Sequence, residues 1–378
     1  MKYYLYKNPF FKVYATIRDG HVKIHTSGLA SLAVRPMMND MFYVFDGEKP
    51  AKVDGDQLIF STWMPPIPSK AFDRLVSSQM GNLRRKKVPE QVTISITEDC
   101  PNKCLHCALP DTKNKARLAP AVVRDVIDQC LDMGSTFIVF DGGEPLVYEG
   151  LEDLIGYVDK DRAIAGMFTS GVGLTRERAQ ALKEAGLDMI SVSLDNANEK
   201  GHDIMRGRSG VFRDAINGIR HSLDAGLLVN IYVVLSPNNI GELDDFYSLA
   251  CNMGVQEISF FEIVPTGRWM DHEDEVLSLD DHRMFDDFVL RTNKMDGPRV
   301  FAIPHILQKM GCFAGKKWLH ITPQGDVNPC ACIPISIGNI HNNRISDIWK
   351  KICSDPTYNA DTCLMRDPEF RRTYILGK

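Results

Sequence analysis

The chain has no long hydrophobic run. Its opening segment, Met1-Lys2-Tyr3-Tyr4-Leu5-Tyr6-Lys7-Asn8-Pro9, lacks the apolar core of an export signal, and nothing reaches the roughly 20 apolar residues of a membrane-crossing helix. Excess positive charge is missing too. With 44 basic residues against 49 acidic ones, the net charge of −5 gives no electrostatic reason to expect a nucleic-acid partner. There is no internal repeat, low-complexity tract, P-loop or cobalamin-binding Asp-x-His motif. Cysteine, in contrast, is plentiful. Ten cysteines in a sequence without an export signal point to metal binding in a reducing cytoplasm rather than to disulfides. A length of 378 residues predicts two or three domains.

Three of the cysteines, Cys100, Cys104 and Cys107, form a C-x3-C-x2-C loop, Cys100-Pro101-Asn102-Lys103-Cys104-Leu105-His106-Cys107. A closed iron-sulfur or zinc site needs four ligands, so three thiolates leave one metal position open. The strand-like Val92-Thr93-Ile94-Ser95-Ile96 before the loop delivers it to the C-terminal edge of a sheet, where α/β proteins build their sites. Two other readings compete: a zinc knuckle completed by His106, and buried free thiols. His106 lies at no usual zinc spacing, and the loop is polar.

This loop resembles the cluster-binding motif of the radical S-adenosylmethionine (SAM) superfamily. The resemblance implies that the three cysteines hold a 4Fe-4S cluster whose fourth iron is chelated by the amino and carboxylate groups of SAM. It also implies reductive cleavage of SAM to a 5'-deoxyadenosyl radical that removes a substrate hydrogen. A one-electron donor such as flavodoxin or ferredoxin is implied as partner.

Downstream motifs agree. The apolar run Thr136-Phe137-Ile138-Val139-Phe140-Asp141 ends in Gly142-Gly143-Glu144-Pro145, which is similar to the family's segment near the SAM ammonium. Glycines allow close backbone approach and Glu144 is an acceptor for a cation, although the same four residues also make an ordinary strand-ending turn. Strand and helix signals then alternate: strand 165–171, helix 176–184, strand 189–195, helix 212–225, strand 229–234, helix 240–253, strand 257–261. Such alternation specifies parallel strands with helices outside, and the family's partial six-stranded (β/α) barrel fits it. Ser193-Leu194-Asp195 and His202-Asp203-Ile204-Met205-Arg206-Gly207 resemble segments near the SAM ribose and carboxylate in the MoaA and PqqE-like branch. Ser193 can hydrogen-bond a ribose hydroxyl and Arg206 can pair with a carboxylate; the plain alternatives are a strand-ending serine and an arginine on a solvated helix start. Val264-Pro265-Thr266-Gly267-Arg268 resembles the loop after the sixth strand, with its role open.

A second cysteine group follows: Cys312, Cys330, Cys332, Cys353 and Cys363. The step from Gly325 to Cys330, with Ile337-Gly338-Asn339-Ile340 and Ile345-Ser346-Asp347-Ile348-Trp349, resembles the SPASM and twitch extensions, whose cysteines hold auxiliary iron-sulfur clusters. The seven-cysteine SPASM pattern is incomplete here, which points to one auxiliary 4Fe-4S cluster. Cys312, Cys330 and Cys363 are its expected ligands, with Cys332 favoured over Cys353 for the fourth place. Cys130 and Cys251 lie in amphipathic helices and read as buried thiols.

Residues 1–88 form the expected β-rich N-terminal domain, 89–300 the barrel and 301–378 the auxiliary-cluster domain. In the first, the runs 11–17 and 41–45, broken by Asp19-Gly20 and Asp46-Gly47, suggest hairpins, while Met64-Pro65-Pro66-Ile67-Pro68 and Arg84-Arg85-Lys86-Lys87 read as connectors. This module either presents a substrate to the barrel or covers its open edge. Three functions remain open: radical modification of a peptide or protein side chain, radical chemistry on a small molecule such as a tetrapyrrole carboxylate side chain, and a non-catalytic metal-binding structural role.

Overall fold

The computed structural model describes residues 1–30, 45–82, 87–109 and 113–377. Most of the run 41–45 and of the basic segment 84–87 lies outside them. The alternating N-terminal stretch makes an antiparallel sheet of β1 (Tyr3–Lys7), β2 (Lys12–Arg18) and β3 (His21–Ser27). Asp19 and Gly20 close the β2–β3 hairpin with φ of 50° and 77°, the two left-handed residues of a type I′ turn. A short hairpin, β4 (Lys52–Asp54) and β5 (Gln57–Ile59), and helix α1 (Lys70–Asn82) complete this part.

The continuous apolar runs become adjacent parallel strands, because only burial on both faces accommodates them. In chain order the elements are β6 (Gln91–Thr97), α2 (Pro120–Met133), β7 (Phe137–Gly142), α3 (Leu151–Tyr157), β8 (Ile164–Thr169), α4 (Arg176–Glu184) and β9 (Met189–Ser193). Then come α5 (Glu199–Arg206), α6 (Val211–Asp224), β10 (Leu228–Leu235), α7 (Leu243–Met253), β11 (Glu257–Glu262), α8 (Leu279–Thr292), β12 (Arg299–Ala302) and α9 (Ile303–Met310). Next are β13 (Trp318–Ile321), β14 (Asp326–Asn328), β15 (Gly338–Asn339) and α10 (Ile345–Ser354), followed by short helical turns between Pro356 and Leu376.

One sheet runs β12-β11-β10-β9-β8-β7-β6-β13-β14-β15. Strands β6 to β11 are the six expected for the partial barrel, and each flank carries one further parallel strand: β12 beside β11, and β13 beside β6. Side chains alternate across the sheet. Val92, Ile94 and Ile96 of β6 face outward onto Val123, Val126 and Ile127 of α2, whereas Phe137 and Val139 of β7 face the barrel interior with Phe168 and Trp63.

Trp63 comes from the N-terminal part and defines what that part does to the barrel. Its ring stacks on Phe301 at 5.2 Å between centroids and touches Phe137, Phe168, Tyr232 and Phe261, while its Nε1 donates to Ser259 Oγ at 2.8 Å. Beside it, Ser61 and Thr62 donate to the buried carboxylate of Glu257, which also pairs with Arg299 at 3.1 Å. The segment 61–63 therefore plugs the mouth at the N-terminal ends of the strands, and the flanking strands β12 and β13 lie along the barrel's edges.

Candidate functional site

The cysteine loop leaves the C-terminal end of β6, and the backbones of three neighbouring segments hold it. From below, Gly143 N–H donates to Thr97 O at 2.7 Å and Glu144 N–H donates to Asp99 O at 2.8 Å. From one side, Lys103 N–H and Leu105 N–H donate to the carbonyls of Arg206 and Met205 at the end of α5 (3.0 and 2.9 Å). From the other, Arg268 donates its N–H to Cys107 O and its Nη1 to Cys104 O, both at 3.0 Å. These approaches require glycine. A Cβ at Gly143 would stand 2.3 Å from Asp99 O, and one at Gly267 would stand 2.1 Å from Cys107 O. The glycines expected to admit a ligand thus admit the cysteine loop itself, and Gly142 and Gly143 also border the cavity above it.

Glu144 behaves differently from the expected cation acceptor. Its buried carboxylate accepts from Leu146 N–H (3.2 Å), Thr169 Oγ1 (2.7 Å), Ser170 N–H (2.8 Å) and Ser170 Oγ (2.6 Å). Burial pushes this carboxyl above the usual range, with the Ser170 and Thr169 donors pulling the other way. The side chain clasps the end of β7 to the end of β8.

Arg206 is the last residue of α5 rather than a solvated helix start, and only 8% of it is exposed. Its Nε pairs with Asp195 Oδ2 at 2.7 Å and its Nη1 lies 3.7 Å from Cys104 Sγ. Burial alone would raise the Asp195 carboxyl, yet Arg206, His106 and His202 around it bring it below the usual carboxylate range. His106 sits against Asp195, Nε2 to Oδ2 at 3.7 Å. Among the described residues, no three His, Cys, Asp or Glu side chains converge on one ion-sized point.

The C-terminal cysteines separate into two groups. Cys312, Cys330 and Cys363 feel one another's charge, and Cys330 hydrogen-bonds Cys332. Backbone N–H groups point at their sulfurs: Ala314 and Leu364 at Cys312, Ala331 and Cys332 at Cys330, Met365 and Arg366 at Cys363. Such donors suit thiolates. Burial pushes the Cys363 thiol up to about 12, and that of Cys100 likewise to about 12. Cys353 stands apart on α10, its charged neighbour being Lys87. Cys130 is fully buried in α2, and Cys251 is half-buried in α7 beside Tyr247.

Residues 94–250 match the radical SAM superfamily and residues 312–372 match SPASM, an iron-sulfur cluster-binding domain. The chain is a radical SAM enzyme with a SPASM domain. Its radical SAM domain binds a 4Fe-4S cluster and SAM, and the SPASM domain is an auxiliary iron-sulfur cluster domain. The AdoMet-dependent heme synthase of Nitratidesulfovibrio vulgaris is 27% identical over 290 residues, covering 68% of this chain and 77% of its own. The PqqA peptide cyclase of Streptomyces rochei is 27% identical over 304 residues, covering 74% and 80%. In fold, the chain resembles Streptococcus suis SuiB bound to S-adenosylmethionine, with a TM-score of 0.60, 14% identity, and 92% and 88% of the two chains covered.

In this radical SAM enzyme one cavity of about 440 Å³ is bordered by Cys100, Cys104 and Cys107 on one side and by Cys330 and Cys332 on the other. Ser193 and Arg206 lie on its wall; Trp63, Phe168, Tyr232, Phe261 and Trp318 form an aromatic lining. The donor set fits the cofactors: three loop thiols at the rim of a cavity, glycine backbone beside them, and N–H groups aimed at the SPASM sulfurs. The loop after β11 joins the two halves, since Thr266 Oγ1 donates to Cys332 O at 2.8 Å while Arg268 holds the Cys104 carbonyl.

Sequence reasoning gave no role to three cavity groups. Asp141, at the end of β7, accepts from Ser95 Oγ at 2.6 Å, with His320 Nε2 3.5 Å behind that hydroxyl. Burial raises the Asp141 carboxyl against the pull of His320. Tyr232 and Trp63 are the others. An acid ending an apolar strand was the signal for Asp141; Trp63 carried none, because its partners lie at least 74 residues away in the chain. Among the described residues, no helix is long and apolar enough to cross a membrane.

Proposed function

We propose that this radical SAM enzyme modifies a side chain of a peptide or protein. Cys100, Cys104 and Cys107 hold the SAM-binding cluster, and Cys312, Cys330, Cys332 and Cys363 hold the auxiliary one. When bound, the first cluster and SAM supply a carbon radical able to abstract hydrogen, the electron coming from a donor such as flavodoxin or ferredoxin. The chain's own residues then act by holding and orienting. The backbone carbonyls near Gly142 and Gly143 take the SAM ammonium, Ser193 takes a ribose hydroxyl, and the aromatic lining excludes water from the space between the cysteine groups.

The observation that carries this reading is a cavity bordered by both cysteine groups. Ligand cavities run from about 300 to 1,000 Å³, and at about 440 Å³ this one lies in that range. The peptide cyclase likeness supports the same reading, while the heme synthase likeness keeps a tetrapyrrole as the second one. Residues 1–88 close the barrel floor in this scheme, 89–300 generate the radical and 301–378 carry the auxiliary centre.

The test is anaerobic incubation of reconstituted protein with SAM and a strong reductant, which should yield 5'-deoxyadenosine. Peptides encoded near the gene and iron-coproporphyrin are then compared as substrates by mass spectrometry. Loss of hydrogen from a peptide supports the proposal; turnover of the porphyrin alone overturns it.

A further inference from the structure

We propose that Arg206 and Asp195 form a matched pair that sets the reduction potential of the iron-sulfur centre on the Cys100–Cys107 loop. The inference rests on the assignment of Cys104 as a ligand of that centre. It adds to the SAM-carboxylate contact that the resemblance implies for Arg206 a role for the two protein partners this residue has.

Both side chains are enclosed: Asp195 is 0% exposed and Arg206 8%. The guanidinium reaches Cys104 Sγ with Nη1 at 3.7 Å and turns Nε to Asp195 Oδ2 at 2.7 Å. Both residues are also anchored through their backbones. Arg206 O accepts from Lys103 N–H in the cysteine loop. Asp195 donates its N–H to His202 Nδ1 at 3.0 Å, and its carbonyl accepts from Asn239 Nδ2 at 2.7 Å. His106 and His202 are the other titratable groups facing Asp195.

Hydrogen bonds to a ligating sulfur and nearby charge tune the potential of an iron-sulfur centre. A lone guanidinium against Cys104 would stabilise the reduced centre and raise its potential, at the low dielectric of a buried site far more than in water. Reductive cleavage of a sulfonium requires the opposite, a strongly reducing centre. Asp195 reconciles the two demands: the sulfur keeps its donor, and the carboxylate cancels the donor's net charge.

The experiment is an EPR-monitored redox titration of the reconstituted holoenzyme without SAM or substrate. Arg206→Gln is expected to lower the midpoint potential of the loop centre, Asp195→Asn to raise it, and the double variant to fall between the two. The SPASM centre, held by other residues, serves as the internal reference and should not move. Should Asp195→Asn fail to fold, Arg206→Lys, which keeps the charge and loses the fork geometry, should shift the potential less than Arg206→Gln. Shifts of the same sign in the two single variants, or none, overturn the proposal. So does weakened SAM binding by Arg206→Gln with an unchanged SAM-free potential, which would make Arg206 a carboxylate grip. Iron counting on Cys104→Ala separates the underlying assignment: a loop centre that survives this change refutes Cys104 as ligand whatever the pair does.

Discussion

Replacing Glu144 distinguishes a clasp from a cofactor contact. Glu144→Ala strands four donors: the hydroxyls of Thr169 and Ser170, which can turn elsewhere, and the N–H groups of Leu146 and Ser170, which cannot. At about 1–3 kcal/mol for each buried donor left without a partner, the two fixed N–H groups and the lost charged acceptor together cost about 4 kcal/mol. Glu144→Gln keeps the shape and one oxygen, but its amide N–H2 faces donors from Ser170; about 2 kcal/mol is expected. Urea denaturation followed by far-UV circular dichroism measures both losses, and calorimetry of SAM binding to the reconstituted enzyme measures the alternative. If Glu144→Gln left the urea midpoint unchanged and weakened SAM binding tenfold, the clasp would be wrong and Glu144 would be a ligand-binding residue.

Three further outcomes are expected. Burial, with Arg206 close by, lowers the His202 imidazole from 6.5 to about 4. The unfolded chain then takes a proton the native state refuses as pH falls through this window, so stability drops by about 2 kcal/mol between neutral pH and pH 5. Urea melts of His202→Gln should lack that share; an identical pH dependence would refute it. Cys353→Ser should leave the iron content of anaerobically purified protein at about eight per chain, the total of two 4Fe-4S centres, whereas Cys332→Ser should lower it; equal losses would count Cys353 as a ligand. Trp63→Ala removes a large ring from an aromatic cluster and should cost about 3–5 kcal/mol by thermal unfolding, and a variant as stable as the parent would show that the barrel floor does not depend on it.

What the sequence made legible was local. The alternation of strand and helix signals from residue 165 to 261 announced parallel strands, and the spacing of Cys100, Cys104 and Cys107 announced a loop with three thiolates. What it hid depends on contacts made across the chain. Arg206 read only as a candidate partner of the SAM carboxylate, because its protein partners, Cys104 and Asp195, are set by how α5 packs over the loop. Glu144 read as a free acceptor because Thr169 and Ser170 reach it only once β8 lies beside β7. Spacing alone also left Cys332 and Cys353 in competition; packing brings the first to Cys330 and leaves the second near Lys87. The short β12 and β13 carry too few residues to stand out as strands in the sequence.

The pairing of β13 with β6 joins Trp318 to Gln91 and Ile321 to Ile94 across more than two hundred residues of intervening chain. During synthesis, β6 leaves the ribosome with one flank bare, and it waits for nearly the whole polypeptide before that flank is covered. A long-range pairing of this kind forms slowly. The open flank of the strand that leads into the Cys100–Cys107 loop is thus closed by residues of the SPASM domain, which ties the two halves of the enzyme through the sheet itself.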